Sequence, residues 1–334
     1  MMPFPPPPLL DTAWWRGRKV VVTGGTGFIG SHVVERLAPI CAQVVVPTRP
    51  GSPQLPASVR GDVAVMHGDL ADEDFARRSC AGTDTLLMLA ATVGGIAWNQ
   101  SHPATLFRDN LRPFLTTLEA ARAAGVSRVL AVSSVTVYPR EAPVPTPEDA
   151  GFQGLPEPSS DGYGWAKRMQ EFGVQAYARE FGLSVAVVRP NNAYGPRDDF
   201  RPETARVVPS LLRKALDPET PTVEVWGSGQ QSRSFMYVTD TADGLLRACE
   251  RAPDGEPINL GGEQEVTIAE LAALAVEVAG TGKPLVFRTD RPEGQLRRHS
   301  DVTRQARLLD FHPRVGLREG LTATLAWYRS QLAR

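Results

Sequence analysis

Tyr163 and Lys167 stand four residues apart, so a helix over this stretch places both on one face. Ser134 lies 29 residues earlier, just after the apolar run Arg128–Ser133. These three residue types, in this order, suit the reduction of a ketone. Hydride transfer from a nicotinamide leaves an alkoxide that must be protonated. A phenol with a pKa near ~10 gives up its proton reluctantly at neutral pH. A neighbouring ammonium, together with the positive charge of the oxidised nicotinamide, lowers that value toward working pH. A serine hydroxyl can donate to the same oxygen as charge builds on it, and Lys167 can also hold the nicotinamide ribose. A Tyr/Lys pair alone is a common chance spacing; its order after a strand-end serine and a glycine turn carries the weight.

That glycine turn is Lys19-Val-Val-Val-Thr-Gly24-Gly-Thr-Gly27-Phe28-Ile29-Gly30. Gly24 permits a tight turn, Gly27 lets backbone approach a pyrophosphate, and Gly30 lets the following helix pack against the strand. The free N–H groups of the first helical turn, around Phe28 and Ile29, then face the anion. Cofactor choice is usually set at the end of the second strand, where an acid binds the ribose of NAD and a basic residue accepts the 2′-phosphate of NADP. Here Val44-Val-Val-Pro-Thr48-Arg49 contains no acid, so Arg49 points to NADPH, although one exposed arginine among many is also the bland reading. Asp69 and Leu70 follow the third strand. They are placed to frame the adenine, although Asp69 could equally cap a helix.

These motifs sit on alternating β-branched runs and helical stretches. Strands are expected at Lys19–Thr23, Val44–Pro47, Val63–His67, Thr85–Ala90, Arg128–Ser133 and Val185–Arg189, with helical patterns at Gly30–Leu37, Ala104–Ala124 and Tyr163–Phe181. The strands are continuous apolar runs rather than alternating ones, as expected of a sheet covered on both faces. The expected fold is therefore α/β: a Rossmann-type, doubly wound parallel sheet with a smaller C-terminal α/β substrate-binding lobe. Residues 1–16 read as a poorly ordered Pro-rich extension that Trp14 and Trp15 could pin to the body. Residues 17–190 read as the NADP-binding domain, with 235–262 returning to it, and 191–334 mainly as the second lobe. Pro139–Pro158, rich in proline and acids, reads as a surface loop.

The chain has 334 residues, enough for one large or two linked domains, and 36 basic against 37 acidic residues give a formal net charge of −1. That balance argues against broad binding to nucleic acid or an anionic membrane. Cys41, Cys80 and Cys249 form no metal or disulfide pattern, which fits a reducing compartment. No signal peptide, membrane span or metal cluster is expected, and a cytoplasmic location follows. Only Lys19, Lys167, Lys214 and Lys283 are lysines, leaving 32 arginines. A GC-rich genome explains most of that bias, but a retained lysine can also mark a need for an amine.

With these residues in view, the chain resembles the extended short-chain dehydrogenase/reductase family, which acts on nucleotide-activated sugars, and most of all its GDP-L-fucose synthase branch. The likeness runs from about Arg18 to Tyr328. It is carried by Val93-Gly-Gly-Ile96 with Asn99, Asn192-Ala-Tyr-Gly-Pro-Arg-Asp-Asp-Phe200, Val207-Val-Pro-Ser-Leu-Leu212, Val225-Trp-Gly-Ser-Gly229 with Arg233, Arg291-Pro-Glu-Gly294 and Asp301-Val-Thr-Arg304. The resemblance implies that Asn192, Lys214, Trp226, Arg233 and Arg291 bind a nucleotide diphosphate, with Arg206, Val207 and Thr136 at the sugar, and that the enzyme is a homodimer. The residue types agree: a diphosphate wants guanidinium forks and an amide, and a base wants an aromatic face.

The resemblance breaks where the branch keeps its epimerisation chemistry. By likeness, the second position after the strand-end serine would be a cysteine, partnered by a histidine before the Val-Val-Pro segment. Here those positions hold Thr136 and Arg206. A threonine hydroxyl is a poor acid or base, and a guanidinium stays protonated. Nor do Val135 and Thr136 supply the acid–base pair of sugar dehydratases. The expected reaction is NADPH-dependent reduction of a GDP- or dTDP-linked 4-keto-6-deoxy sugar, without 3,5-epimerisation. The alternatives are an NAD-dependent 4-epimerase, a bifunctional epimerase/reductase of the fucose-synthase type, and a nonenzymatic NADP-sensing module. The last has no use for an intact Ser134, Tyr163 and Lys167.

Overall fold

The computed structural model describes residues 10–333 apart from Arg60, Gly95, Pro253, Pro292 and Glu293. Three residues of the motifs quoted above, Gly95, Pro292 and Glu293, therefore lie outside the described residues, as do residues 1–9 of the N-terminal extension.

Six apolar runs form strands β1 (Lys19–Thr23), β2 (Gln43–Thr48), β3 (Val63–His67), β4 (Thr85–Met88), β5 (Arg128–Val132) and β6 (Ser184–Pro190). With β11 (Asp254–Leu260) they make a seven-stranded parallel sheet of order β11-β6-β5-β4-β1-β2-β3. Each strand feeds both faces. Val20 and Val22 join one buried cluster with Val33, Val34 and Leu37 of α2 (Phe28–Leu37) and with Leu245 and Leu246 of α8 (Val238–Arg251). Val21 joins the opposite cluster with Phe114 and Leu118 of α5 (Pro103–Ala123) and Val174 of α6 (Asp161–Phe181). This double coverage is why the strands read as unbroken apolar runs. Because β1 sits between β2 and β4, the winding reverses there, and the carboxyl ends of β1, β4 and β5 flank the crevice such a reversal opens.

The second lobe gathers α7 (Val207–Leu216), α9 (Ile268–Ala279) and α11 (Leu317–Leu332) around Leu212, Val223, Val225, Leu271 and Leu321. Its strands are short: β8 (Val223–Trp226) pairs with β13 (Leu285–Arg288), and β9 (Ser232–Ser234) lies between β12 (Glu265–Thr267) and β14 (Arg297–Arg298). A reciprocal capping box of Thr267 and Glu270 starts α9, and Gly280 in the left-handed region ends it.

Two expectations needed correction. Thr12–Trp15 form a helical turn capped by Asp11, and Trp15 is fully buried with its indole donating to Glu250 at 2.6 Å. Residues 10–16 of the expected extension are thus folded, pinned by Trp15 as that residue's type allowed, because burying a tryptophan outweighs ordering a few residues. Pro139–Pro158 is not merely a surface loop. It buries Thr146, Glu148 and Glu157, and Glu148 accepts the Asn259 N–H at 3.0 Å. Glu148 and Glu157 are internal because they find donors there, whereas Glu141 and Asp149 stay exposed. Among the described residues no helix is long and apolar enough to cross a membrane, and no His, Cys, Asp and Glu cluster could hold a metal ion.

Candidate active site

The glycine turn closes at the carboxyl end of β1. Gly24 has φ +68°, and a side chain there would strike the backbone of Ala90 after β4. A Cβ on Gly30 would collide with the Gly24 carbonyl. Gly27 caps α2 with no side chain of its own, so the first-turn N–H groups at Phe28 and Ile29 have no capping partner. A tight turn that only glycine fits, leading into a helix N-terminus whose first N–H groups have no side-chain cap, suits a dinucleotide pyrophosphate. Thr48 ends β2 with its hydroxyl 3.2 Å from that of Thr26 in the glycine turn. Arg49 beside it is exposed, and no ion pair engages it among the described residues. Asp69 accepts from the Ala71 N–H at 2.9 Å, whereas Asp72 caps the next helix, Glu73–Cys80. The capping role open at Asp69 therefore belongs to Asp72. The Leu70 side chain packs in the core.

β5 ends at Val132, and Ser134 follows in an extended conformation that opens a short 3-10 turn, Val135–Val137. The Ser134 hydroxyl accepts the Thr136 N–H at 3.2 Å and lies near enough to the Tyr163 phenol to pull its pKa down. Helix α6 brings Tyr163 and Lys167 to the same place, with the Lys167 ammonium 5.6 Å from the Tyr163 ring centre. Lys167 is buried and donates to the Val132 carbonyl at 2.7 Å and to Gln170 at 2.9 Å. Burial lowers its pKa to about 8, and the nearby Glu171 carboxylate opposes the fall. Burial pushes Tyr163 up to about 12, against the opposing pulls of Ser134 and the Arg206 guanidinium. The direction differs from the lowering expected of a neighbouring ammonium. Here the phenol is enclosed, and the ammonium is turned toward a carbonyl and an amide.

The expected substrate residues fall into separate groups. Trp226, 51% exposed, has Lys214 at 6.0 Å and Arg291 at 5.8 Å from its ring centre. Lys214 also donates to the Glu224 carbonyl at 2.8 Å. Arg233 bonds the carbonyls of Ser232 and Gln295 at 2.6 and 2.7 Å. Asn192, with φ +35°, donates its amide to the Ser234 carbonyl at 2.9 Å, so that donor is already engaged. Arg206 caps the start of α7, pairs with buried Asp198 at 2.7 Å and lies 5.2 Å from the Phe28 ring of the glycine turn. It thus lies between the glycine turn, Tyr163 and the second lobe. Val207 begins α7 and packs toward the lobe's core. The Thr136 hydroxyl and the second oxygen of Asp198 are both buried without a hydrogen-bond partner.

The profile of the NAD dependent epimerase/dehydratase family matches residues 20–261, spanning the glycine turn, Ser134, Tyr163 and Lys167. The chain belongs to this family. It is 34% identical over 321 residues to a dTDP-4-dehydro-6-deoxy-D-allose reductase of Streptomyces bikiniensis, covering 94% of this chain and 97% of that one. It is 30% identical over 323 residues to the GDP-L-fucose synthase of Escherichia coli K12, covering 93% and 96%. Among solved structures, the UDP-glucose 4-epimerase of Thermotoga maritima with UDP-glucose superposes with a TM-score of 0.84 at 30% identity, covering 94% of this chain and 99% of that one.

In this epimerase/dehydratase-family chain, sequence reading missed several groups at the site. Arg298 pairs in register with Arg233 and donates to the Val135 carbonyl at 2.8 Å, tying the second lobe to the segment after Ser134. Glu157 is the buried counter-charge; it holds Arg140 at 2.7 Å and acts electrostatically on both Arg233 and Arg298. Arg298 was hidden by the arginine-rich composition. Its one signal was adjacency to Arg297 shortly before the Asp-Val-Thr-Arg motif.

Proposed function

We propose that the protein is an NADPH-dependent reductase that converts a nucleotide-linked 4-keto-6-deoxy sugar to the 4-hydroxy sugar without 3,5-epimerisation. One observation carries this reading. Ser134, Tyr163 and Lys167 converge at the carboxyl end of β5, and by the family resemblance Thr136 and Arg206 replace the acid and base that 3,5-epimerisation would need. The likeness to a dTDP-4-dehydro-6-deoxy-D-allose reductase supports it.

The glycine turn, Arg49, Asp69 and the backbone at Leu70 hold the cofactor, which supplies hydride when bound. Tyr163 gives its proton to the oxygen of the reduced carbonyl. Ser134 donates to the same oxygen and fixes its position. Lys167, a cation in a buried site, stabilises the phenolate left behind and orients the nicotinamide ribose. Arg206 and Thr136 contact the sugar. Lys214, Arg233 and Arg291 neutralise the diphosphate of a GDP or dTDP carrier, with Trp226 stacking on the base. Exposed Phe107, Leu115, Trp165 and Phe172 along α5 and α6 support a homodimer packed through these helices. Free Cys41, Cys80 and Cys249 fit a reducing, cytoplasmic setting.

A second reading, an NAD-dependent sugar 4-epimerase, is favoured by the superposition on a UDP-glucose 4-epimerase. One experiment separates them. GDP- and dTDP-linked 4-keto-6-deoxyhexoses are incubated with NADPH in D₂O and the products read by NMR. The expected product is a 4-hydroxy sugar formed with stoichiometric NADPH oxidation and no deuterium at C3 or C5. Deuterium at either carbon at enzymatic rate refutes the reading of Thr136 and Arg206. Interconversion of 4-hydroxy sugars with no net cofactor oxidation establishes the epimerase.

A further inference from the structure

Behind the reductive residues lies an ion pair that the chemistry above does not use. Glu171, one helical turn beyond Lys167 on α6, and Arg189 on β6 are each 1% exposed. Arg189 donates Nε and one Nη to the two oxygens of Glu171 at 2.8 and 2.7 Å. The carboxylate also accepts the hydroxyl of Ser133, the residue immediately before Ser134. The other Nη of Arg189 reaches the Tyr138 hydroxyl at 2.9 Å and the Glu148 carbonyl at 2.6 Å. Tyr138 donates in turn to Asn259 on β11 at 2.5 Å. One carboxylate therefore joins the strand end before Ser134, the helix that carries Tyr163 and Lys167, and, through Arg189, the segment after Ser134.

Stability alone does not call for this arrangement, because apolar residues of similar volume usually hold a core as well as a buried ion pair does. What apolar packing cannot supply is a fixed negative charge one turn from a buried ammonium, together with a hydrogen bond to the backbone segment of the reactive serine. The surroundings of Lys167 leave Glu171 alone in that role. On its own helix Lys167 faces Tyr163, Glu171 and the amide of Gln170. From β5 it meets the neutral Val132 carbonyl, and from α5 only Asn110, through Gln170. Arg189, from β6, is engaged by Glu171.

We propose that Glu171 is a positioning residue of the reductive site: through Ser133 and Arg189 it sets Ser134 against Tyr163, and it supplies the negative charge that keeps the buried Lys167 an ammonium. The catalytic half of this inference rests on the reductase reading; the electrostatic half does not.

The full-length protein labelled at lysine ¹³Cε, with Lys167→Met assigning its signal, is titrated by NMR without substrate or cofactor. Wild-type Lys167 is expected to titrate near pH 8. In Glu171→Gln it is expected to titrate about one pH unit lower, the loss of one nearby opposite charge. A role in packing alone would leave that titration where it was, so an unmoved midpoint in folded Glu171→Gln overturns the proposal. Ser133→Ala is the milder variant, and it decides the matter should Glu171→Gln not fold. It removes one hydroxyl bond and is expected to lower kcat about tenfold, as a small displacement of a reacting group does, with KM nearly unchanged and a somewhat lower thermal midpoint from the lost buried bond. Unchanged kcat in Ser133→Ala overturns the positioning role. Failure of wild-type protein to reduce any 4-keto sugar would instead count against the reductase reading, with the lysine titration still deciding the charge.

Discussion

Arg49→Ala tests cofactor choice at a single side chain. In the structure this guanidinium stands exposed at the end of β2, beside Thr48 and the glycine turn, with no carboxylate at the strand end. A charge-assisted hydrogen bond contributes about 1.5–3 kcal/mol. Exposure puts Arg49 at the lower end, because solvent and salt screen surface charges. About 1.5 kcal/mol corresponds to roughly tenfold in affinity. Arg49→Ala is therefore expected to weaken NADPH binding about tenfold while changing NADH binding less than about twofold, since NADH has no 2′-phosphate to lose. The assay is a fluorescence or calorimetric titration of both cofactors with both proteins. The NADPH advantage of the wild type should also shrink between about 0.1 and 1 M salt, as the screening length falls from about 10 to about 3 Å. Equal losses for the two cofactors, or a wild-type preference for NADH, would refute the assignment of Arg49 and restore the NAD-dependent epimerase.

Tyr163→Phe removes the phenol hydroxyl from a buried site without changing its shape. It should lower kcat by about 10²–10⁴-fold while leaving NADPH affinity nearly intact, as stopped-flow rates and cofactor titration would show. Because the Lys167 pKa is lowered to about 8, its ammonium prevails below that pH and is lost above it, so the pH–rate profile should hold level up to about 8 and then fall. The same shift has a stability consequence of known sign. Between about 8 and the ordinary 10.5 the unfolded chain binds more protons at this lysine, so its contribution to stability rises with pH across that window, and denaturant midpoints of wild type and Lys167→Met should converge there. Trp226→Ala removes the exposed ring near Lys214 and Arg291. Loss of about 1–3 kcal/mol of base stacking should raise KM for the sugar nucleotide about tenfold or more, with a much smaller change in kcat.

The local code of this protein was open to reading from its residues. Runs such as Val20–Val22 and Val185–Val188 read as strands buried on both faces, and the glycine turn read as a strand-to-helix junction, as the fold bears out. The spacing of Tyr163 and Lys167 is a property of any helix, so their common face followed without coordinates. Position 136 and position 206 could likewise be read one residue at a time, because a side chain's capacity to titrate belongs first to its type.

What the tertiary structure decided was everything that depends on partners distant in sequence. The direction of the Tyr163 shift came from enclosure, which residue types do not encode. Trp15 was ordered by Glu250, and Glu157 and Glu148 of the Pro-rich segment became internal by meeting Arg140 and the Asn259 N–H. Arg298 was anonymous among 32 arginines until β14 set it beside Arg233 and the Val135 carbonyl. Glu171 looked like any helical acid until β6 brought Arg189 to it. Sequence periodicity reports the face on which a side chain lies, but the charge, dielectric and hydrogen-bond partners waiting on that face are assembled only when the chain closes on itself.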